Sequence, residues 1–168
     1  MTRPSYKVTI TQRKLPHLRQ IVSEELLKGA IRCENQYKQN LQEGKGAQGS
    51  HGRPYAGTGE AIASVTMYPQ TPGADLYTVE GPLVQHAIAE FGRAPGKKMP
   101  PPAPIDRWAR EAGLTPREGE TWDDMILNLR RHIAAHGLRA FAPMQLAAET
   151  IAPTIEPAIR RRIAELNK

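Results

Sequence analysis

Apolar side chains recur at steps of three and four from Leu18 onward: Leu18, Ile21, Val22, Leu26, Ala30, Cys33, Tyr37 and Leu41. That period puts them on one face and predicts one long amphipathic helix over residues 18–41, with Pro16 in its first turn. Gly29 weakens the helix by up to about 1 kcal/mol or admits a close neighbour. Upstream, Tyr6, Val8 and Ile10 alternate with Lys7, Thr9 and Thr11, the period of a short strand. Downstream the pattern dissolves. Residues 44–59 hold six glycines and no periodicity, which reads as a mobile loop, long for a compact domain. Strand-like runs return at 61–69 and 75–80, joined by Gln70-Thr71-Pro72-Gly73. Turn chemistry between two such runs predicts an antiparallel hairpin.

The remainder is helical in period. Leu83, Val84, Ala87, Ile88 and Phe91 share one side of a segment opened by Pro82 and stopped by Gly92. Residues 96–102 contain three consecutive prolines and read as a stiff, extended loop. Pro104 opens a helix carrying Ile105, Trp108 and Ala109, closed by Gly113. Thr115-Pro116-Arg117-Glu118 has the form of a capping box, and Thr121 with Asp124 repeats it before a helix over 122–136. The apolar face of that helix is Trp122, Met125, Ile126, Leu129, Ile133 and Ala134, and Gly137 stops it. A last helical stretch spans 143–166, with a bend or restart expected at Pro153 and Pro157. The fold class is α+β: a small antiparallel sheet packed against a long N-terminal helix and several C-terminal helices. A length of 168 residues suits a single domain, 1–168, with a flexible Gly-rich loop at 44–59 and a Pro-rich loop at 93–102.

Composition narrows the class. Apolar residues at 39% and charged ones at 24% give a globular rather than a disordered balance. No apolar run reaches the roughly 18–20 residues of a membrane span, and residues 1–14 lack the apolar stretch of a signal peptide. No membrane partner is expected. The single cysteine, Cys33, suits a reducing cytosol and sits on an apolar helix face, the place of a buried structural thiol rather than a nucleophile. Net charge is +6, and the excess lies early: residues 1–58 hold 10 Lys/Arg against 4 Asp/Glu. A basic face of that kind meets nucleic acid or an acidic protein neighbour. Paired Cys/His fingers, heptads behind a basic region and a helix-turn-helix pattern are all missing.

Candidate chemistry is sparse. His132 and His136 stand four apart on a helix, a spacing that suits zinc. The Glu of a protease motif is missing and no third ligand is evident, so they read as surface or interface histidines. Gly57-Thr58-Gly59 is followed by no Gly-Lys-Ser/Thr and is no phosphate loop. Glu24-Glu25 and Asp123-Asp124 read as carboxylates placed near helix N-termini rather than as an acid/base pair, and Arg160-Arg161-Arg162 as cations near a helix C-terminus. Trp108 and Trp122 read as core anchors. No catalytic residue, cofactor or metal site is assigned, and no enzymatic activity is expected.

One stretch is more specific than the rest: His86 to Leu114, HAIAEFGRAPGKKMPPPAPIDRWAREAGL. A helix ending in Glu90-Phe91-Gly92 runs into a turn with Arg93, Pro95, Gly96, Met99 and Pro100, then into a helix with Asp106, Trp108, Ala109 and Arg110. This resembles the tail-completion (neck) family of long-tailed bacteriophages, also known as tail-component or minor tail proteins. Further pieces follow in order over residues 15–168: the amphipathic N-terminal helix, Thr58-Gly59 before an expected strand, and Gly137, Phe141 and Pro143 before the C-terminal helix. Thr58-Gly59-Glu60-Ala61 replaces the usual Ala-Pro-x-x-Thr-Gly-x-Leu pattern, behind a long Gly-rich loop. The resemblance implies a structural virion protein of the head–tail junction, made in the host cytoplasm. Its expected partners are further copies in an oligomeric ring, neighbouring neck and tail proteins (stopper or head-closure protein, tail terminator, tail tube) and packaged DNA through sequence-independent phosphate contacts. Thr58, Gly59, Glu90, Phe91, Gly92, Arg93, Pro95, Gly96, Lys97, Lys98, Met99, Pro100, Phe141 and Pro143 are the candidate assembly interface. The reading from another class is a basic nucleic-acid-binding module, told apart by a steep loss of affinity with salt.

Overall fold

The computed structural model describes residues 16–50, 59–70 and 75–166. The strand expected at residues 6–11 and the turn at 71–73 lie outside them. Helix α1 (Pro16–Glu43) is followed by a small hairpin, β1 (Lys45–Gly46) with β2 (Gly49–Ser50). Then come α2 (Gly59–Ser64), β3 (Thr66–Pro69), β4 (Tyr77–Glu80), α3 (Val84–Phe91), α4 (Pro102–Glu111), α5 (Trp122–His136) and α6 (Pro143–Glu165). The class is α+β, with two separate two-stranded antiparallel sheets. In the second, Thr66 faces Glu80 and Pro69 faces Tyr77, so the expected hairpin is present.

The main core forms where α1 and α6 run antiparallel. Glu24 and Glu25 meet Arg162 near one end, and Asn40 donates to the Pro143 carbonyl at the other, 2.9 Å away. Gly29 lies midway, and a Cβ there would run into the Ile155 side chain. The glycine therefore trades helix propensity for close approach. Tyr37, Leu41, Val65, Ala89, Phe141 and Ala147 form the buried cluster, with Cys33, Ile62, Val79 and Met144 packed on it. Burying a residue the size of Leu41 contributes about 1.5–3 kcal/mol. A second cluster joins α4 to α5: Ala109, Met125 and Ile126, flanked by Ile105, Leu114, Trp122 and Leu129.

Several expectations need correction. Residues 61–64 are helical rather than strand; Glu60, Ala61, Ile62 and Ala63 make a short turn of helix that ends where the Ser64 hydroxyl donates back to the Ala61 carbonyl. Residues 45–50 are a hairpin rather than open loop, and Gly59 begins a helix. Helix α4 opens at Pro102 rather than Pro104, since its first-turn residues need no N–H partner. Thr115–Glu118 starts no helix: Glu120 accepts from the Arg117 N–H, and Gly119 (φ 79°) turns the chain instead. The box at Thr121 and Asp124 does form, with both reciprocal bonds. Helix α6 runs through Pro153 and Pro157 without restarting. Trp108 is 37% exposed and anchors no core, whereas Trp122 packs on the second cluster under the Arg110 guanidinium and donates to Asp106. Glu24 and Glu25 cap nothing. They bind Arg162 across the helix pair, and Glu25 also binds Lys28, so both carboxyls sit below their ordinary range: Glu24 chiefly through Arg162, Glu25 chiefly through Lys28. Arg162 thus stands in the last turn of α6, as expected, and is also a cross-helix clamp.

Candidate functional site

Two helix ends stopped by glycine lie side by side. Gly92 ends α3 at φ 69° and Gly137 ends α5 at φ 74°. Arg93 and Leu138 then pair as an antiparallel bridge, each N–H donating to the other's carbonyl at 2.8 Å. A Cβ on either glycine would strike the backbone of the other strand, so both must be glycine for this approach as well as for their positive φ. Beyond the bridge the loop stays strapped to α5. The Gly96 N–H donates to the Ala134 carbonyl at 2.8 Å, and Arg130 Nε donates to the Pro100 carbonyl at 2.7 Å. Arg93 also closes the loop from within, its Nη2 on the Lys98 carbonyl.

This scaffold divides the candidate residues in two. Phe91, Pro95, Gly96, Lys97, Lys98 and Met99 are exposed, Phe91 to 81%. Arg93 and Gly92 are partly covered, and Pro100 is buried. Glu90 turns inward: its two oxygens accept from the Met144 and Gln145 N–H groups at 2.9 and 3.0 Å. Those are orphan donors of the first turn of α6, whose N-cap, Ala142, has no capping side chain and adopts φ 56°, ψ 60°. Phe141 and Pro143 are buried. The Phe141 and Ala142 N–H groups both donate to the Ala89 carbonyl, while their own carbonyls accept from Gln48 and Ala47 of the β1–β2 turn. Glu90, Gly92, Pro100, Phe141 and Pro143 therefore build the support, and Phe91 with residues 95–99 is the surface on display. Gly59 is exposed at the start of α2, well apart in sequence; Thr58 lies outside the described residues.

A buried polar chain, unread from the sequence, sits behind this surface. His86 is 4% exposed, with Nδ1 2.6 Å from the Tyr37 hydroxyl and Nε2 2.9 Å from the Ser64 hydroxyl. Ser64 donates onward to the Ala61 carbonyl. That direction assigns the neutral ring: Tyr37 donates to Nδ1, and Nε2–H donates to Ser64. Burial pushes the His86 pKa below its ordinary value. The three side chains tie α1, α2 and α3 together. Gly81 packs against the His86 ring, where a Cβ would overlap it. Only the lone histidine at 86, amid apolar neighbours, signalled this in the sequence.

The other chemistry considered is dispersed. His132 and His136 are exposed with ring centroids 4.4 Å apart. Among the described residues no three His, Cys, Asp or Glu side chains gather as metal ligands. Burial raises the Cys33 pKa, the reverse of what a nucleophile needs. An open groove between α1 and α6 is lined by both signs of charge, Lys28, Arg32 and Arg161 with Glu25 and Glu165.

No family model matches this chain, and no curated protein or solved structure does either. The basic N-terminal third is largely neutralised where it is described: Arg19 pairs with Asp75, Lys28 with Glu25, Lys38 with Glu34 and Lys45 with Glu43. Arg3, Lys7, Arg13, Lys14 and Arg53 lie outside the described residues. No described helix is long and apolar enough to cross a membrane.

Proposed function

We propose that this protein is a structural subunit of the phage head–tail junction, completing the tail or joining it to the head within an oligomeric ring, and that it has no enzymatic activity. The observation that carries the reading is the rigid display of Phe91 and residues 95–99. An aromatic ring 81% exposed, next to a loop held by three backbone bonds to α5 and the strand after it, is set for a partner before the partner arrives. Large exposed aromatics are the usual anchors of protein interfaces, and preorganisation lowers the entropy lost on docking. The order of motifs from Glu90 to Leu114 supplies the setting: in the family it resembles, such subunits sit between portal and tail tube. Lys97 and Lys98 beside the aromatic ring suit an acidic protein surface or the phosphates of packaged DNA.

Cryo-electron microscopy of purified virions, focused on the neck, tests this. A ring of this chain between portal and tail tube, with Phe91 covered by a neighbour, is the expected result. A neck built wholly of other proteins overturns the reading.

A further inference from the structure

We propose that His132 and His136 form a two-imidazole chelate for one late first-row divalent metal ion, copper most tightly, and that the bound ion braces the last turn of α5 and the loop strapped to it. The inference goes beyond the assembly reading and does not depend on it. The chain has five histidines, and only this pair stands one helical turn apart. His86 is buried with both ring nitrogens engaged by hydroxyls. No second imidazole stands three or four residues from His17 or His51.

Residues four apart share one face of a helix. His132 and His136 are both exposed, and their rings converge, with centroids 4.4 Å apart and planes tilted by 41°. Two adjacent imidazole ligands bound at about 2.0–2.1 Å hold their centroids roughly 4.5–5 Å apart. A small rotation of either exposed side chain reaches that spacing. The helix itself favours a cation here. His136 lies in the last turn of α5, at the negative end of the helix dipole. Imidazole suits copper, nickel and zinc, with copper highest in the general order of affinity, whereas calcium and magnesium prefer oxygen ligands. Among the described residues no third His, Cys, Asp or Glu joins the pair, so water fills the remaining positions and the site is open.

The bound ion acts on the fold through what lies between and beside its ligands. Ala134 stands midway, and its carbonyl accepts the Gly96 N–H at 2.8 Å. Just past His136, the Gly137 N–H closes on the Ile133 carbonyl at 2.9 Å, and Leu138 pairs with Arg93. A chelate across residues 132–136 pins the turn that carries these bonds. Opening that turn must then also release the ion, so local opening becomes rarer in proportion to metal occupancy.

The test uses the full-length protein at pH 7.5 with Cu2+ and Zn2+ as probes. Isothermal titration shows one equivalent of Cu2+ bound, and electron paramagnetic resonance of that form shows two imidazole nitrogens on the ion. His132→Ala and His136→Ala each weaken binding about a hundredfold, the factor that an intramolecular second ligand supplies. His17→Ala and His51→Ala leave it unchanged. Both altered side chains are exposed and alanine favours the helix, so the variants keep the native circular dichroism spectrum. In hydrogen exchange, saturating Zn2+ slows the Gly96 amide about tenfold or more in the native chain but in neither variant, and Mg2+ does not slow it. Cu2+ affinity that survives the loss of either histidine overturns the chelate, and so does Mg2+ acting as Zn2+ does. A Gly96 amide indifferent to bound Zn2+ overturns the bracing.

Discussion

Replacing Glu90 by alanine removes the side chain that caps α6. Two N–H groups, of Met144 and Gln145, lose acceptors at 2.9 and 3.0 Å. Loss of an N-cap acceptor costs about 0.5–2 kcal/mol, and bonds to an ionised group lie toward the upper part of the range for hydrogen bonds. Glu90 is partly exposed, so water recovers some of that. The expected loss for Glu90→Ala is about 2 kcal/mol, which for a chain of 168 residues lowers Tm by roughly 4–8 °C. Glu90→Gln keeps one acceptor oxygen and loses the charge; about half that loss is expected. Urea unfolding followed by far-ultraviolet circular dichroism gives the free energies. Hydrogen exchange gives the location: the Met144 and Gln145 amides should exchange faster in Glu90→Ala, while amides in α5 keep their protection. An unfolding free energy within about 0.3 kcal/mol of native, with the two amides still protected, would refute the capping argument.

Gly46→Ala puts a methyl group into the Phe141 carbonyl, so it should cost about 2 kcal/mol or more by displacing the hairpin from the 141–142 segment, whereas Gly59→Ala meets nothing within 4 Å and should be neutral or slightly stabilising in the same urea assay. Burial lowers the His86 pKa from its ordinary 6.5, so the unfolded chain binds the proton more readily; the stability that His86 contributes is complete above about pH 6.5 and falls as pH drops below it. Tyr37→Phe leaves Nδ1 buried without its donor, at a cost of about 1–3 kcal/mol, and the slope of stability against pH between 5 and 6.5 should become shallower; an unchanged slope would show that His86 does not set it.

The parts that were legible in the sequence are those where periodicity and local chemistry agree. The step of three and four through Tyr37 and Leu41, and the reciprocal bonds of Thr121 and Asp124, need nothing from the rest of the chain. Residues 61–64 misled because a run such as Ala-Ile-Ala-Ser fits a strand or a turn of helix equally, and packing of Ile62 against the main cluster decides. Thr115–Glu118 has the letters of a capping box without an apolar run to cap, since Gly119 follows directly. Pro153 and Pro157 do not restart α6: both are exposed, on the side away from α1, while Ile155 packs against Gly29. Among the candidate interface residues, Phe91 stands out for its exposure. Glu90 and Phe141 act through partners fifty residues away in sequence, which no local pattern reveals.

That separation also orders events in time. A helix with its own cap can flicker into existence early and wait for the core. Helix α6 has no such cap of its own: the carboxylate that closes its first turn belongs to α3, and the residue before that turn is left-handed with its N–H on the Ala89 carbonyl. Its start is thus a non-local event, with the loop-closure delay such contacts carry. During synthesis α3 leaves the ribosome first, with its acceptor unfilled, and α1 has by then long been waiting for its antiparallel partner. The register of the α1–α6 seam at its Pro143 end is thereby tied to α3 through Glu90.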